Sequence, residues 1–165
     1  MQQDKHPSHL ERVSIIIASF FGVGYAPFAP GTCGSVAAII PLYFLSYTGF
    51  LTSLCIVVAL TILGTIAVKR SITNKQDHDP SWIVIDEVVG VLTLYPCCLY
   101  FTGFNALTVI ASLTIFRVLD ISKLGPVGYV DRKFSNALGV MLDDIVAAVI
   151  TATIIICLQY IITFL

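Results

Sequence analysis

The sequence predicts an all-α, polytopic helical membrane protein, with about five helices entering the bilayer and some of them short or re-entrant. Three observations carry that expectation. Of the 165 residues, 57% are hydrophobic and only 12% charged, about half the ~25% charge of a soluble globular chain. Asp, Glu, Lys and Arg are wholly absent from 13–68, 88–116 and 145–165. Those runs are too long and alternate too poorly for barrel strands, and in hydrocarbon only helices or closed barrels satisfy the backbone. The formal net charge of −1 offers no long-range attraction for nucleic acid, so no nucleic-acid partner is expected.

Residues 1–12 read as a polar tail and 13–165 as one membrane-embedded domain. Residues 35–47 form a short apolar helical piece that ends near Thr48-Gly49.

The stretch 51–68 has nearly the ~20 residues that a spanning helix needs, and 145–165 meets that length fully, the last helix being placed at 142–165. Between them, 88–116 holds too many positions for one span and too few for two full ones. Pro96 and Thr102-Gly103 interrupt it, which predicts two short helices in a hairpin, 84–100 and 104–119.

The cations set the orientation. Lys5 and Arg12 precede the first run, Lys69, Arg70 and Lys75 follow the second helix, and Arg117, Lys123, Arg132 and Lys133 lie between the fourth and fifth, whereas the tips at 48–50 and 101–104 carry no charge. The positive-inside rule then puts every charged segment and the N-terminus in the cytoplasm, and the C-terminus outside. A signal peptide over 1–21 is disfavoured, because Asp4 and Glu11 dilute its positive region and no small-x-small cleavage site follows. The five cysteines, Cys33, Cys55, Cys97, Cys98 and Cys157, show no C-x-x-C spacing and read as small packing residues.

Eight of the ten acids fall between 77 and 144, in three dense groups against hydrophobic runs, where ionisable side chains are costly and are functional candidates. The first is Asp77-His78-Asp79 followed by Asp86-Glu87. Neighbours on a helix diverge by about 100°, so at most one of Asp86 and Glu87 is expected to face a ligand squarely. The second is Arg117-x-x-Asp120-x-x-Lys123, with Asp131-Arg132 beyond it. Spacing of three aligns the trio on one helix flank, where Arg offers a fork for phosphate oxygens and Lys a point charge. The third is the pair Asp143-Asp144, two like charges whose burial calls for a cation. Each group has a plainer explanation: an acidic helix start, a snorkelling Arg and Lys, or an N-cap.

An uncharged feature joins them. The run from Gly22 to Ser35, with Gly31, Thr32, Gly34 and Ser35 at its end, leads into a helix, and such a loop can meet an anion with free N–H groups. Alone it is weak, since a re-entrant turn or a small-residue helix contact would look the same. Carboxylates for a divalent metal, two cations and a glycine loop for phosphate, and a histidine for proton transfer together point to phosphoryl chemistry on a lipid headgroup.

Four ordered segments carry a family resemblance: Gly22-x-Gly24-x-x-Pro27-x-x-Pro30-Gly31-Thr32-x-Gly34-Ser35; His78-Asp79-x-x-x-Ile83-Val84-x-Asp86-Glu87-x-x-Gly90; Phe116-Arg117-x-x-Asp120-x-x-Lys123-x-x-Pro126-x-x-x-x-Asp131-Arg132; and Gly139-Val140-Met141-x-Asp143-Asp144. Over roughly 20–150 the chain resembles the phosphatidylglycerophosphatase A family of bacterial membrane phosphatases. The resemblance implies hydrolysis of the terminal phosphate of phosphatidylglycerophosphate with Mg2+, in the bacterial cytoplasmic membrane with the active site facing the cytoplasm. Two departures are Leu124, where such proteins commonly have Pro, and Asn136-Ala137-Leu138, where they tend to be glycine-rich. Both bear on loop geometry and substrate breadth rather than on a charged group.

The expected site follows. Asp86, Glu87, Asp143 and Asp144 supply most Mg2+ ligands, with Asp79 and Asp120 as second choices. Arg117 and Lys123 hold phosphate oxygens, and Gly31, Thr32, Gly34 and Ser35 add contacts from the loop. Asp120 deprotonates the attacking water and His78 protonates the departing glyceryl oxygen. The rival classes are an ion-coupled transporter, which would more often show internal repeats and charges near mid-membrane, and a non-catalytic assembly partner, which would have lost a metal carboxylate. Nothing in the sequence specifies an oligomer.

Overall fold

A computed structural model describes residues 8–72, 80–134 and 136–164, and among these there is no β-strand. The elements are α1 (His9–Ala18), a 3₁₀ turn (Val23–Tyr25), α2 (Pro30–Ala37), α3 (Ile39–Leu45), α4 (Phe50–Ser71), α5 (Ile85–Leu94), a π-helical turn (Tyr95–Leu99), α6 (Tyr100–Thr102), α7 (Ala106–Ser122), α8 (Pro126–Lys133) and α9 (Ala137–Phe164).

Local chemistry explains most boundaries. Ser8 starts α1 with a capping box: its hydroxyl accepts from the Glu11 N–H while its own N–H donates to the Glu11 carboxylate, which satisfies two otherwise orphaned donors. Pro30 and Pro126 sit at first-turn positions of α2 and α8, where a missing N–H costs nothing. Asn105 caps α7 by accepting from the Thr108 N–H. Lys69 and Arg70 occupy the last turn of α4, beside its negative dipole end.

Among the described residues, three stretches are long and apolar enough to cross a membrane: Phe50–Ser71, Ile85–Thr102 and Ala137–Phe164. The 22 residues of α4 rise about 33 Å, enough for a hydrocarbon core of about 30 Å. The second stretch joins α5, the π turn and α6. Pro96 falls inside the π turn, a local widening that absorbs a residue unable to donate to the helical ladder.

The centre of the molecule is α5, where every residue from Ile85 to Leu94 except Glu87 is buried. It packs against α2, α3, α4 and α9, and more lightly against α7. Gly90 is what lets these helices meet closely. A Cβ there would stand 2.7 Å from the Phe116 ring and 3.1 Å from the Asp144 Cβ. At the uncharged end, the Tyr95 hydroxyl donates to the Ser46 and Thr48 carbonyls, and the Gln159 amide donates to the Thr102 carbonyl. At the other end, the Val84 N–H donates to the Ala18 carbonyl and joins the end of α1 to the start of α5.

Several expected boundaries move. The piece expected at 35–47 is two helices spanning Pro30–Leu45, broken at Ala38; Pro41 cannot donate to the Ala37 carbonyl, which weakens the ladder at the break. The hairpin is present, turning at Gly103 (φ 92°); its first arm, expected as a short helix at 84–100, runs over Ile85–Thr102 and at 18 residues is long enough to span. The last helix begins at Ala137 rather than 142, so Asp143 and Asp144 lie in its second turn rather than at its start. Helix α1 takes in His9–Arg12 from the stretch expected as a polar tail, and α8 adds a short helix over Pro126–Lys133 that no apolar run signals.

Candidate active site

Four helix segments bring their charged residues to one end of the bundle. Asp86 and Glu87 stand in the first turn of α5 and Gly31 and Thr32 in the first turn of α2; Arg117 and Asp120 are near the end of α7, and Asp143 and Asp144 in the second turn of α9. Lys123 closes α7 in a left-handed conformation (φ 47°). Between them lies a cavity of about 370 Å³, lined among the described residues by five carboxyl groups, Arg117 and Lys123. Acids outnumber cations in this partly buried space, an arrangement that favours uptake of a positive charge.

Asp86, Glu87 and Asp144 form the tightest group. One carboxylate oxygen from each lies within 4.8 Å of the others. Asp86 and Asp144 are buried, with 7% and 2% exposure. Both Asp86 and Glu87 bring an oxygen to this group, although neighbouring helix positions diverge by about 100°. The longer side chain of Glu87 can reach back across the 100° that separates neighbouring positions. Glu87 Oε2 is buried without a hydrogen-bond partner, and such an acceptor carries a desolvation cost that a bound cation would relieve. Three clustered oxygen donors suit a hard divalent cation such as Mg2+.

Arg117 ties this group to α2 and α7. Its Nη1 lies 2.6 Å from Asp120 Oδ2 and 3.8 Å from Glu87 Oε1, and its Nη2 donates to the Thr32 hydroxyl at 3.4 Å. Gly31 is packed so closely that a Cβ would overlap the Glu87 carboxylate and come within 3.2 Å of Arg117 Nη2. The backbone of α2 thus lies directly on the carboxylate–guanidinium pair.

Lys123 makes a second centre. Its Nζ donates to Asp131 Oδ1 and Asp143 Oδ2, both at 2.6 Å, linking α7 to α8 and α9. Partial burial alone would lower its pKa, but hydrogen bonds and charge from the two aspartates outweigh that and hold it above the ordinary lysine value. The ammonium therefore stays protonated at neutral pH. Asp143 also accepts from the Asp144 N–H at 3.1 Å.

The expected residues separate accordingly. Asp86, Glu87, Asp144, Arg117, Asp120, Lys123, Asp143 and Gly31 line one cavity, and Thr32 touches it through Arg117. Asp143 engages Lys123 rather than joining the three clustered oxygens. The helix starts at Pro30 rather than after the loop, so Gly34 lies against Val84 and the buried Ser35 hydroxyl donates to the Gly31 carbonyl. His78 and Asp79 lie outside the described residues. Asp131, noted in the sequence beside the second group but given no role there, meets Lys123, and Ser81, which the sequence does not single out, lines the cavity. The signal for Asp131 was Pro126, which starts a helix able to turn that acid back toward Lys123.

Fold and site together define a helical membrane protein with an acid-lined cavity at one end of its bundle. Comparison with known proteins narrows that class. Residues 16–159 match the family model of phosphatidylglycerophosphatase A. A Haemophilus influenzae phosphatidylglycerophosphatase A is 31% identical, covering 92% of this chain and 94% of the relative. The Escherichia coli protein of that name is 36% identical over 84% of this chain and 79% of its own. A Bacteroides thetaiotaomicron protein named as a putative phosphatidylinositol-3-phosphatase is 38% identical over 88% of this chain and 91% of its own. No solved structure matches. The chain belongs to the phosphatidylglycerophosphatase A family, and it is accordingly a phosphatase.

Proposed function

We propose that this protein is a Mg2+-dependent lipid phosphatase that hydrolyses the terminal phosphate monoester of phosphatidylglycerophosphate, yielding phosphatidylglycerol and inorganic phosphate for phospholipid synthesis. It would work at the cytoplasmic face of the bacterial inner membrane. The observation that carries this reading is the convergence of Asp86, Glu87 and Asp144, from two helices, beside the guanidinium of Arg117.

Asp86, Glu87 and Asp144 are the residues to hold the divalent ion, with Asp143 and Asp79 as further donors. Bound there, Mg2+ would supply Lewis-acid polarisation of a phosphoryl oxygen and acidify water. Arg117, anchored by Asp120, presents its remaining N–H groups to the other phosphate oxygens and neutralises charge that develops in the transition state. Lys123 adds a second positive charge to the cavity. Gly31 and Thr32 bring the start of α2 to the phosphate, while Gly34 and Ser35 support that helix. Asp120 takes a proton from the attacking water through the carboxylate oxygen not engaged by Arg117, and His78 protonates the departing glyceryl oxygen.

The Bacteroides relative favours a second reading, in which the headgroup is a phosphoinositide. Both headgroups present a phosphate monoester, so the same charged groups would serve either. The test is phosphate release by detergent-solubilised protein from phosphatidylglycerophosphate and from phosphatidylinositol 3-phosphate. Turnover of the first, lost on chelation and restored by Mg2+, is expected. Turnover of only the second would transfer the activity to the other headgroup, and none with either would remove the lipid-phosphatase reading.

A further inference from the structure

Arg117 and Ile121 border two hollows at once. One is the polar cavity; the other is a shallow, open apolar groove on the face of α7 alone, lined also by Leu113, Thr114, Val118 and Ser122. Thr114, Arg117, Val118 and Ile121 follow helical spacing and share one stripe, and Val118 and Ile121 are exposed on it. The groove therefore begins where phosphate chemistry is possible and runs along a face suited to hydrocarbon.

From these shared walls we infer that the groove on α7 holds the glycerol backbone and upper acyl chain of the lipid whose phosphate enters the polar cavity. This deepens the lipid-phosphatase reading and rests on it. The polarity order of the two partners agrees. Along α7 the charged residues Arg117, Asp120 and Lys123 occupy the end of the helix, and Leu113 lies one turn deeper, about 6 Å from Arg117. A phospholipid has the same order, phosphate outermost and hydrocarbon inward. The apolar face of α4 has exposed side chains such as Ile62, yet among the described residues none from α4 lines the polar cavity. A lipid on α4 could not keep its phosphate in the site.

The test compares dioleoyl with dihexanoyl phosphatidylglycerophosphate as substrates for wild type, Val118→Trp and, as a control, Ile62→Trp. Filling the groove should lower the dioleoyl-to-dihexanoyl ratio of kcat/KM about tenfold, the scale of one or two lost methylene contacts, while Ile62→Trp keeps the wild-type ratio. A Val118→Trp ratio equal to wild type would overturn the assignment. A second arm needs neither catalysis nor the tryptophan variant. A photoreactive phenylalanine analogue is placed at position 118 or 62, in phosphatidylcholine vesicles containing a minor fraction of dioleoyl phosphatidate. Adducts at 118 should be enriched in the phosphate monoester relative to those at 62. Equal enrichment, or an adduct to a second copy of the chain, would contradict the proposal. Loss of both substrates' turnover in wild type would instead count against the lipid-phosphatase reading, and the adducts would still judge the groove.

Discussion

The absence of one methyl group at residue 31 sets how closely α2 can approach the Glu87–Arg117 pair. A Cβ at Gly31 would overlap the Glu87 carboxylate, and that carboxylate is one of the three clustered oxygens. Gly31→Ala is therefore expected to displace Glu87 and lower kcat about tenfold or more, since misplacement by an ångström can cost far more. Steady-state phosphate release, with circular dichroism to check the fold, measures it; unchanged kcat would show that Glu87 can move without loss. The acids of the site were legible because they crowd against apolar runs, where a carboxylate is expensive. Their division of labour was not legible. Asp143 and Asp144 are neighbours in sequence, yet one meets Lys123 and the other joins Asp86 and Glu87. Only the direction of each side chain from α9 separates them.

At the scale of elements, α5 governs the site, because it carries two of its acids and touches most of the other helices. Gly90→Ala should press on Phe116 and the Asp144 Cβ and destabilise the protein by about 1–3 kcal/mol, as overpacking does. Thermal unfolding in detergent reads this out; a Tm at or above that of wild type would mean that the contact relaxes freely. The long apolar helices were legible from hydrophobic run length alone. The start of α2 was not, because Pro-Gly-Thr-Cys-Gly-Ser has poor intrinsic helix propensity, and the close contact of Gly34 with Val84 supplies what local preference lacks. Helices α1 and α8 are short, and α1 is recognisable chiefly through its Ser8–Glu11 capping box, a local signal much weaker in the sequence than the long apolar runs.

For the whole molecule, the described charged residues of α4, α5, α7, α8 and α9 gather toward the end that holds the cavity, and the opposite tips at 48–50 and 101–104 are uncharged. Positive-inside orientation then predicts a cytoplasmic site and an external C-terminus. A reporter fused after Leu165 should be active as periplasmic alkaline phosphatase and dark as a fluorescent protein that folds only in the cytoplasm. The reverse pattern would invert the topology and place the cavity on the wrong side for a cytoplasmic enzyme.

The central claim is that Asp86, Glu87 and Asp144 together hold a divalent ion. Electron paramagnetic resonance of Mn2+, added to the solubilised protein in place of Mg2+, tests it without substrate. Wild type should bind Mn2+ in competition with Mg2+, and Asp144→Asn should weaken that binding about tenfold or more, since it removes one charged ligand from the site. Equal Mn2+ affinity in wild type and Asp144→Asn would contradict the account.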